Sequence, residues 1–296
     1  MAFQANDPGP NPGGRTNAPL ARSNAHASIV CHMDLNAGWS VCSLEIQKRV
    51  GQILTSIEPV QYAAQPEPKL KLENTITQMV SMKVGILGSG QVGQALGKGF
   101  ASKGHDVKLG SRTPDKQELR DWLKATKGKV AVATFAEASS HGEVLVFCPL
   151  GEAAENVIKL AGEKNFDGKL VLDATNPLDF SKGMPPGLFV GTTDSLGERV
   201  QRWLPKAKVV KCFNIVNNQT MINPRMKEGM PTMIICGNDE NAKRQTAAIL
   251  KEFGWDEPID IGGIDGARWL EAYTALWVRL AVKLGSWTIA ARILRQ

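Results

Sequence analysis

From Met82 onward, short apolar runs alternate with amphipathic stretches. Apolar runs of about five residues bounded by glycine or polar residues are typical of strands, and apolar residues spaced three and four apart are typical of helices. The pattern predicts strands at Lys83–Leu87, Asp106–Leu109, Val130–Ala133, Val144–Phe147, Leu170–Ala174, Val209–Phe213 and Thr232–Cys236. It predicts helices at Val92–Lys103, Asp115–Ala125, Phe135–Ser140, Ala153–Gly162, Ser195–Leu204, Glu240–Phe253 and Asp265–Lys283.

This alternation indicates an α/β fold of the doubly wound Rossmann type, with a mostly parallel sheet covered by helices on both faces. The runs Val144–Phe147 and Leu170–Leu172 are apolar throughout, as strands buried on both faces are. After Phe213 the chain adds only a strand, a helix, a short strand and a final helix, which we expect to complete the sheet edge. The final helix carries an apolar stripe that predicts either core packing or a two-fold homodimer interface; its members are Leu270, Tyr273, Leu276, Trp277, Leu280 and Leu284.

Residues 1–81 have a different composition. Residues 6–22 are rich in Pro, Gly, Asn and Ala and predict a disordered segment. A short helix is predicted at 43–57, followed by a Pro-containing linker at 65–68. We expect 1–81 to be a non-essential extension and 82–296 to be the folded domain. A targeting segment, or an upstream stretch read in error, are the alternatives.

Composition narrows the class of protein. The chain has 296 residues with 43% hydrophobic and 22% charged residues, which is ordinary for a globular protein. Its net charge of +6 suits an anionic ligand such as a nucleotide, but no Lys/Arg run marks a nucleic-acid surface. No apolar run reaches the roughly 18–20 residues that cross a bilayer. The five cysteines lack CxxC spacing, so we expect free thiols, no metal site and a cytoplasmic location.

A glycine-rich turn follows the first predicted strand and opens the first predicted helix. Gly88 permits a tight turn, Gly90 lets the backbone approach a pyrophosphate, and Gly93 lets the helix pack on the strand. The free N–H groups at the helix start, with the helix dipole behind them, face the phosphates. A glycine turn without a ligand is the alternative.

The end of the second predicted strand favours NADP over NAD. NAD-binding folds usually place Asp or Glu there to bind the ribose 2′-hydroxyl. Here the segment carries Ser111 and Arg112 instead, which can hold a 2′-phosphate, and Lys116 adds charge one turn later. Alternatively, these are solvated loop residues at a helix start, with Thr113 as a cap.

The run from Met82 through Lys116 resembles the NADP-dependent oxidoreductases of the coenzyme F420-dependent type. The similarity continues through Phe147–Leu150, Asp173–Leu178 and Lys211–Asn214 and ends at Ala267–Glu271, so it covers 82–296 but not 1–81. The oxidoreductase domain of six-transmembrane metalloreductases is similar too, and pyrroline-5-carboxylate reductases share the first half.

The resemblance implies a set of NADP(H)-binding residues. Ser89 to Val92 would bind the pyrophosphate, and Ser111, Arg112 and Lys116 the 2′-phosphate. Loops at Cys148–Leu150, Ala174–Pro177 and Asn214–Val216 would border the nicotinamide. Strand termination at the prolines and a turn at Asn176 are the alternatives for these loops. The complete predicted set is Gly88, Ser89, Gly90, Gln91, Val92, Gly93, Ser111, Arg112, Thr113, Lys116, Cys148, Pro149, Leu150, Ala174, Asn176, Pro177, Asn214 and Val216.

Catalytic side chains are conspicuously few in the sequence. His105 and His141 precede strands rather than follow them, and no serine or cysteine has an evident base partner. Cys148 reads as an apolar filler rather than a nucleophile. Carbonyl reduction usually needs a proton donor, whereas hydride transfer between nicotinamide and a flavin-like ring needs only stacked rings. We therefore predict no catalytic residue and a small-molecule acceptor such as F420, FMN, FAD or a quinone. A metalloreductase-like domain acting through flavin, or an NADPH-sensing module without turnover, are the alternatives.

Overall fold

The computed structural model describes residues 81–294. The segment predicted to be disordered at 6–22, the helix at 43–57, the linker at 65–68 and two of the five cysteines lie outside the described residues. The described part of the chain contains ten strands, seven α-helices and three short 3-10 helices.

Eight of the ten strands form one sheet. The strands are β1 (Lys83–Leu87), β2 (Asp106–Gly110), β3 (Val130–Ala133), β4 (Val144–Phe147), β5 (Leu170–Asp173), β6 (Leu178–Asp179), β7 (Gly187–Leu188), β8 (Lys208–Lys211), β9 (Ile234–Gly237) and β10 (Ile259–Asp260). The sheet order is β10–β9–β8–β5–β4–β1–β2–β3, while β6 and β7 form a separate antiparallel hairpin. Every neighbouring pair in the large sheet is parallel except β8 and β9. This confirms the predicted mostly parallel sheet and places the C-terminal strands at its edge.

Seven helices connect and cover these strands. They are α1 (Gln91–Ser102), α2 (Gln117–Ala125), α3 (Phe135–His141), α4 (Ala154–Ala161), α5 (Leu196–Trp203), α6 (Glu240–Glu252) and α7 (Ala267–Leu284). Each predicted helix is present, with ends that differ by one or two residues. Helix α2 begins later than predicted because Pro114 occupies a turn in which the Lys116 N–H meets the Thr113 carbonyl.

Two apolar cores, one on each face of the sheet, confirm the doubly wound arrangement. On one face α1, α2 and α6 pack with residues such as Leu96, Trp122 and Leu250. On the other face α3, α4 and α5 pack through residues such as Phe135 and Val200. All residues of β4 and β5 are buried, as their unbroken apolar sequence predicts.

The apolar stripe of helix α7 was predicted to pack in the core or to form a homodimer interface, and its two sides differ. Leu270 is buried in the core and Trp277 is buried beside Trp287, whereas Leu276, Leu280 and Leu284 remain exposed. Core packing is therefore correct for one side of the stripe. A homodimer through the exposed side stays a prediction.

The chain reverses its direction of travel across the sheet between β1 and β4. From β1 it runs outward to β2 and β3, and it then crosses back to β4, β5 and β8 on the other side. Ligands of open parallel sheets bind beyond the carboxyl ends of the strands at such a switch point. The loops that follow β1, β2, β4 and β5 meet at this edge and form the candidate site.

Candidate functional site

The turn between β1 and α1 keeps its glycines for two different reasons. Gly88 has φ +143°, a left-handed conformation, and a Cβ there would lie 2.6 Å from the Cys148 carbonyl oxygen. A Cβ at Gly93 would lie 1.8 Å from the Gly88 carbonyl oxygen. By contrast, a Cβ at Gly90 would meet no atom of residues 81–294 within 4 Å. Gly88 and Gly93 are thus required by the fold, while the space at Gly90 is left open for something outside the chain.

The first turn of α1 presents backbone N–H groups to this open space. Gly90 is the N-cap, no side chain caps the helix, and the first turn holds no acidic residue. The earliest helical bond joins the Gln94 N–H to the Gly90 carbonyl, so the N–H groups of residues 91–93 have no partner within the helix. Helix α3 differs, because its N-terminus is closed by a capping box between Thr134 and Glu137. The start of α1 therefore suits an anion.

The loop after β2 adds a hydroxyl and two cations. Ser111 is buried, and its Oγ accepts hydrogen bonds from the Ser89 hydroxyl at 3.1 Å and the Thr113 N–H at 3.2 Å. This hydroxyl joins the loops that follow β1 and β2. Arg112 and Lys116 are exposed, and neither forms an ion pair with any residue from 81 to 294.

A cleft of about 600 Å³ joins these elements, a size typical of ligand pockets. All but four of the predicted binding residues line it: Gly88, Ser89, Gly90, Gln91, Val92, Ser111, Arg112, Thr113, Lys116, Cys148, Pro149, Leu150, Ala174 and Asn176. The structure therefore brings together four loops, which follow β1, β2, β4 and β5 and lie up to 88 positions apart in the chain.

The other four predicted residues do not line the cleft. Gly93 packs against Gly88, and Val216 belongs to the apolar core. Pro177 is buried, and its carbonyl accepts the Phe189 N–H. Asn214 is 3% exposed and reaches the cleft only through its contact with Asn176. None of the four contributes to the cleft wall, so a cofactor-binding role for them stays a prediction.

The cleft also contains residues that the sequence did not predict. They come from the start of α3, from the segment between β4 and α4 and the first turn of α4, and from the β6–β7 hairpin: Phe135, Gly151, Glu152, Ala153, Asn156, Val157, Leu178 and Phe180. The first two groups follow β3 and β4, so the rule that sites lie beyond strand ends could have found them. The hairpin residues had no such signal, because each of its strands is only two residues long.

The part of the cleft away from Arg112 is largely apolar. Leu150 and Phe180 are 79% and 51% exposed, an unusual cost for large apolar side chains unless something covers them. Burial, together with the nearby Asp173 carboxylate, raises the pKa of the Cys148 thiol to about 12. The sulfur stays protonated and donates weakly to the Gly88 carbonyl at 3.6 Å. Cys148 thus lines the cleft wall as a protonated thiol, and the prediction that it is not a nucleophile stays a prediction.

Two side-chain amides, of Asn176 after β5 and Asn214 after β8, bind each other at the border of the cleft. The Asn214 side-chain N–H donates to Asn176 Oδ1 at 3.0 Å, and the Asn176 side-chain N–H donates to the Asn214 carbonyl at 3.0 Å. The Thr274 hydroxyl of α7 donates to the same carbonyl at 3.0 Å. Asn214 Oδ1 is buried with no donor among residues 81–294. The pair fixes Asn176 while leaving unused hydrogen-bonding capacity beside the cleft.

The two histidines of the folded domain lie away from the cleft. His105 is fully buried, with Nε2 3.1 Å from Glu252 and Nδ1 accepting the Met82 N–H. His141 contacts Asp106 at 3.4 Å. Across residues 81–294 there is no cluster of His, Cys, Asp or Glu able to hold a metal, and no helix there is long and apolar enough to cross a membrane.

Comparisons with known proteins agree with this geometry. Residues 83–177 match the family model of NADP oxidoreductases that are coenzyme F420-dependent. The crystal structure of a candidate F420-dependent NADP reductase from Arthrobacter sp. FB24 is 38% identical, covers 73% of this chain and all of its own, and superimposes with a TM-score of 0.70. The chain belongs to this family. An F420-dependent NADP reductase of Methanocaldococcus jannaschii is 29% identical over 224 residues, which is 72% of this chain and 98% of the relative.

A second relative shares only this domain. Metalloreductase STEAP3 of Rattus norvegicus is 30% identical over 195 residues, or 64% of this chain. The match spans about a third of that relative's length, 36%. A sequence similar to this chain therefore also forms part of a longer reductase.

Proposed function

We propose that this family member transfers a hydride between NADP(H) and a planar-ring acceptor such as F420, a flavin or a quinone. The observation that carries the proposal is one continuous cleft with two chemically different ends. One end has an open glycine turn, a buried hydroxyl and two cations that pair with no carboxylate among residues 81–294, and the other end is lined by exposed apolar side chains.

The first end fits the phosphates of NADP(H). The pyrophosphate would lie over Gly90 against the N–H groups of α1, where a Cβ would otherwise stand. The 2′-phosphate would lie between Ser111, Arg112 and Lys116, which offer a hydroxyl and two positive charges and no carboxylate at the strand end. This donor set favours NADP over NAD.

The second end fits the nicotinamide and a second ring. The loops at Cys148–Leu150 and Ala174–Asn176 would border the nicotinamide, and Phe180 and Leu150 would cover the acceptor. When bound, NADP(H) supplies the hydride. The chain's residues then hold two planar groups in register and exclude water, so positioning provides the rate enhancement.

An acceptor screen tests this proposal. The full chain is mixed with NADPH or NADH and with FMN, FAD, F420 or a quinone, and the nicotinamide absorbance is followed. We expect NADPH oxidation with at least one acceptor and a clear preference for NADPH over NADH. Tight NADPH binding without oxidation by any acceptor would contradict the proposal and favour an NADPH-sensing module.

Glu152 provides a sharper control, because it contributes a carboxylate to the cleft lining. Reduction of a carbonyl or imine would need a proton donor, whereas transfer to a ring that delocalises charge would not. Glu152→Gln should therefore retain most of the activity towards the ring acceptor. A loss of more than about a hundredfold, the lower end of the range for general acid catalysis, would indicate a different substrate class.

The similarity to a metalloreductase supports a second candidate, reduction of a metal ion through a flavin. Adding a ferric chelate to the reaction of protein, NADPH and flavin distinguishes it. We expect flavin reduction to proceed at the same rate with and without the chelate. Iron reduction that is required for NADPH turnover would favour the metalloreductase function instead.

A further inference from the structure

A buried cluster of three charges lies where β5, β8 and α7 meet. Lys211 Nζ is 3.0 Å from Asp173 Oδ2 and 2.7 Å from Glu271 Oε1. All three side chains are 2% exposed or less. We call Asp173, Lys211 and Glu271 the charged layer.

A second, neutral layer lies further along the same three elements and their extensions. It consists of Asn176, Asn214 and Thr274, which are joined by the amide and hydroxyl bonds described above. Each member follows a member of the charged layer by three residues. Asp173 and Lys211 are direct partners in the β5–β8 register, and residues three apart on a helix share one face. The charged layer therefore holds the starts of the two loops that carry Asn176 and Asn214, and Thr274 lies about one turn beyond Glu271 on α7.

The two carboxylates of the charged layer accept hydrogen bonds from backbone N–H groups, and these bonds fix their positions. Asp173 Oδ1 accepts both the N–H and the hydroxyl of Thr175, at 2.9 and 2.7 Å, which bends the chain immediately before Asn176. Glu271 accepts the N–H groups of Leu196 and Gly197 at 2.9 Å each. The layer has one positive and two negative charges, and the N-terminus of α5 compensates the excess.

Burying three charges is an expensive way to stabilise a fold, since apolar residues of similar volume do as well or better. Such a cluster is better suited to specifying one arrangement of the chain around it. Among the six residues of the two layers, only Asn176 lines the cleft. Asn176 uses one N–H and one lone pair on Asn214, so one N–H and one lone pair remain. A carboxamide, such as that of nicotinamide, offers the complementary acceptor and donor.

We propose that Asp173, Lys211 and Glu271 are positioning residues that hold the Asn176 amide in register with the carboxamide of the nicotinamide. This inference rests on the proposed function, which places the nicotinamide beside Asn176. Loss of the charged layer would leave the phosphate end intact and weaken only the contribution of the nicotinamide to binding.

Calorimetry on the full chain with two ligands tests this. NADPH carries the nicotinamide, and 2′-phospho-ADP-ribose lacks it, so the ratio of their dissociation constants measures the nicotinamide contribution. We expect wild type to bind NADPH about tenfold more tightly than the fragment, the value of one to two good hydrogen bonds. Glu271→Gln should reduce this ratio severalfold while leaving fragment binding unchanged. Arg112→Ala is the matched control, because it should weaken both ligands equally.

A second variant covers the chance that Glu271→Gln does not fold. Thr175→Val removes the hydroxyl contacts to Asp173 and Lys211 but no charge, and it should reduce the ratio in the same direction. In an Asn176→Ala background neither change should reduce the ratio further, because the route through Asn176 is gone. A merely structural role would still lower it.

Three results would overturn the inference. The first is an unchanged ratio of dissociation constants in Thr175→Val and in any Glu271→Gln protein that folds. This result would refute the positioning role alone, and the proposed function would stand. Equal reductions with and without the Asn176 side chain would refute the route through Asn176. A wild type that binds both ligands equally would overturn this inference together with the proposed nicotinamide placement.

Discussion

A methyl group added at Gly90 should separate ligand binding from folding. Its Cβ would meet no atom of the described residues within 4 Å, and the residue has φ −75°, which alanine adopts without strain. The same change at Gly93 would place Cβ 1.8 Å from the Gly88 carbonyl oxygen. Both glycines belong to one turn, yet the structure predicts opposite outcomes for Gly90→Ala and Gly93→Ala.

Gly90→Ala should mainly weaken NADPH binding, whereas Gly93→Ala should mainly lower the stability of the fold. Alanine is a poorer N-cap than glycine, but it reduces the freedom of the unfolded chain, so Gly90→Ala should change stability by less than about 1 kcal/mol. It should cost about 1.5–3 kcal/mol of NADPH binding, the value of a hydrogen bond to a charged group, or about 10- to 100-fold in the dissociation constant. Gly93→Ala forces backbone atoms apart and should cost about 3 kcal/mol of stability.

Thermal unfolding without ligand and calorimetry with NADPH measure both effects. At about 2–4 °C per kcal/mol for a domain of this size, Gly93→Ala should lower Tm by roughly 6–12 °C and Gly90→Ala by less than about 4 °C. If Gly90→Ala lowered Tm as much as Gly93→Ala and left NADPH affinity unchanged, the open space at Gly90 would not be a phosphate site.

Three further predictions concern Arg112, the Cys148 thiol and the Glu198 carboxylate. Arg112→Ala should weaken NADPH binding by about tenfold and NADH binding by less than twofold, since only NADPH carries the 2′-phosphate; equal losses in a calorimetric titration would refute the assignment. With a pKa of about 12, only about one Cys148 thiol in 10⁴ is ionised at pH 8. In a Cys31→Ser/Cys42→Ser background, mass spectrometry should therefore find Cys148 almost unlabelled by iodoacetamide at the time when added free cysteine has been consumed. Rapid labelling of Cys148 would contradict the raised pKa. Hydrogen bonds from Arg268 and then Ser195 lower the pKa of Glu198 below its usual 4.5, so its contribution to stability is present above about pH 4.5 and is lost as the pH falls through the lowered value. Glu198→Gln should therefore make the fall of Tm at acid pH less steep. An unchanged fall would exclude Glu198 as a cause.

The phosphate end of the site could be predicted from the sequence because its signals are local. An apolar strand, three glycines at fixed spacing and a following helix lie within 20 residues, and each carries its own physical meaning. Arg112 could be placed for the same reason, since strand β2 ends immediately before it. Strand β8 was predicted two residues too long at its end, because Phe213 turns to φ +65°, which a strand does not adopt.

The remaining parts depend on contacts between distant segments. The hairpin that carries Phe180 has two-residue strands, too short for a periodic pattern. Asp173, Lys211 and Glu271 are separated by 38 and 60 positions and lie in runs that otherwise read as an apolar strand or helix. Only the sheet register and the packing of α7 bring them together, and local propensity contains neither. The predicted extension 1–81 and the predicted homodimer remain predictions.

The most direct test of the central claim is the fate of deuterium in NADPH labelled at C4 on one face or on the other. A protein that holds nicotinamide and acceptor in fixed register transfers the hydride from one face only. With an acceptor from the screen, mass spectrometry of the NADP⁺ product should show complete loss of deuterium from one labelled form and complete retention in the other. Partial loss from both forms would contradict the account, because it would mean that the cleft does not position the two rings.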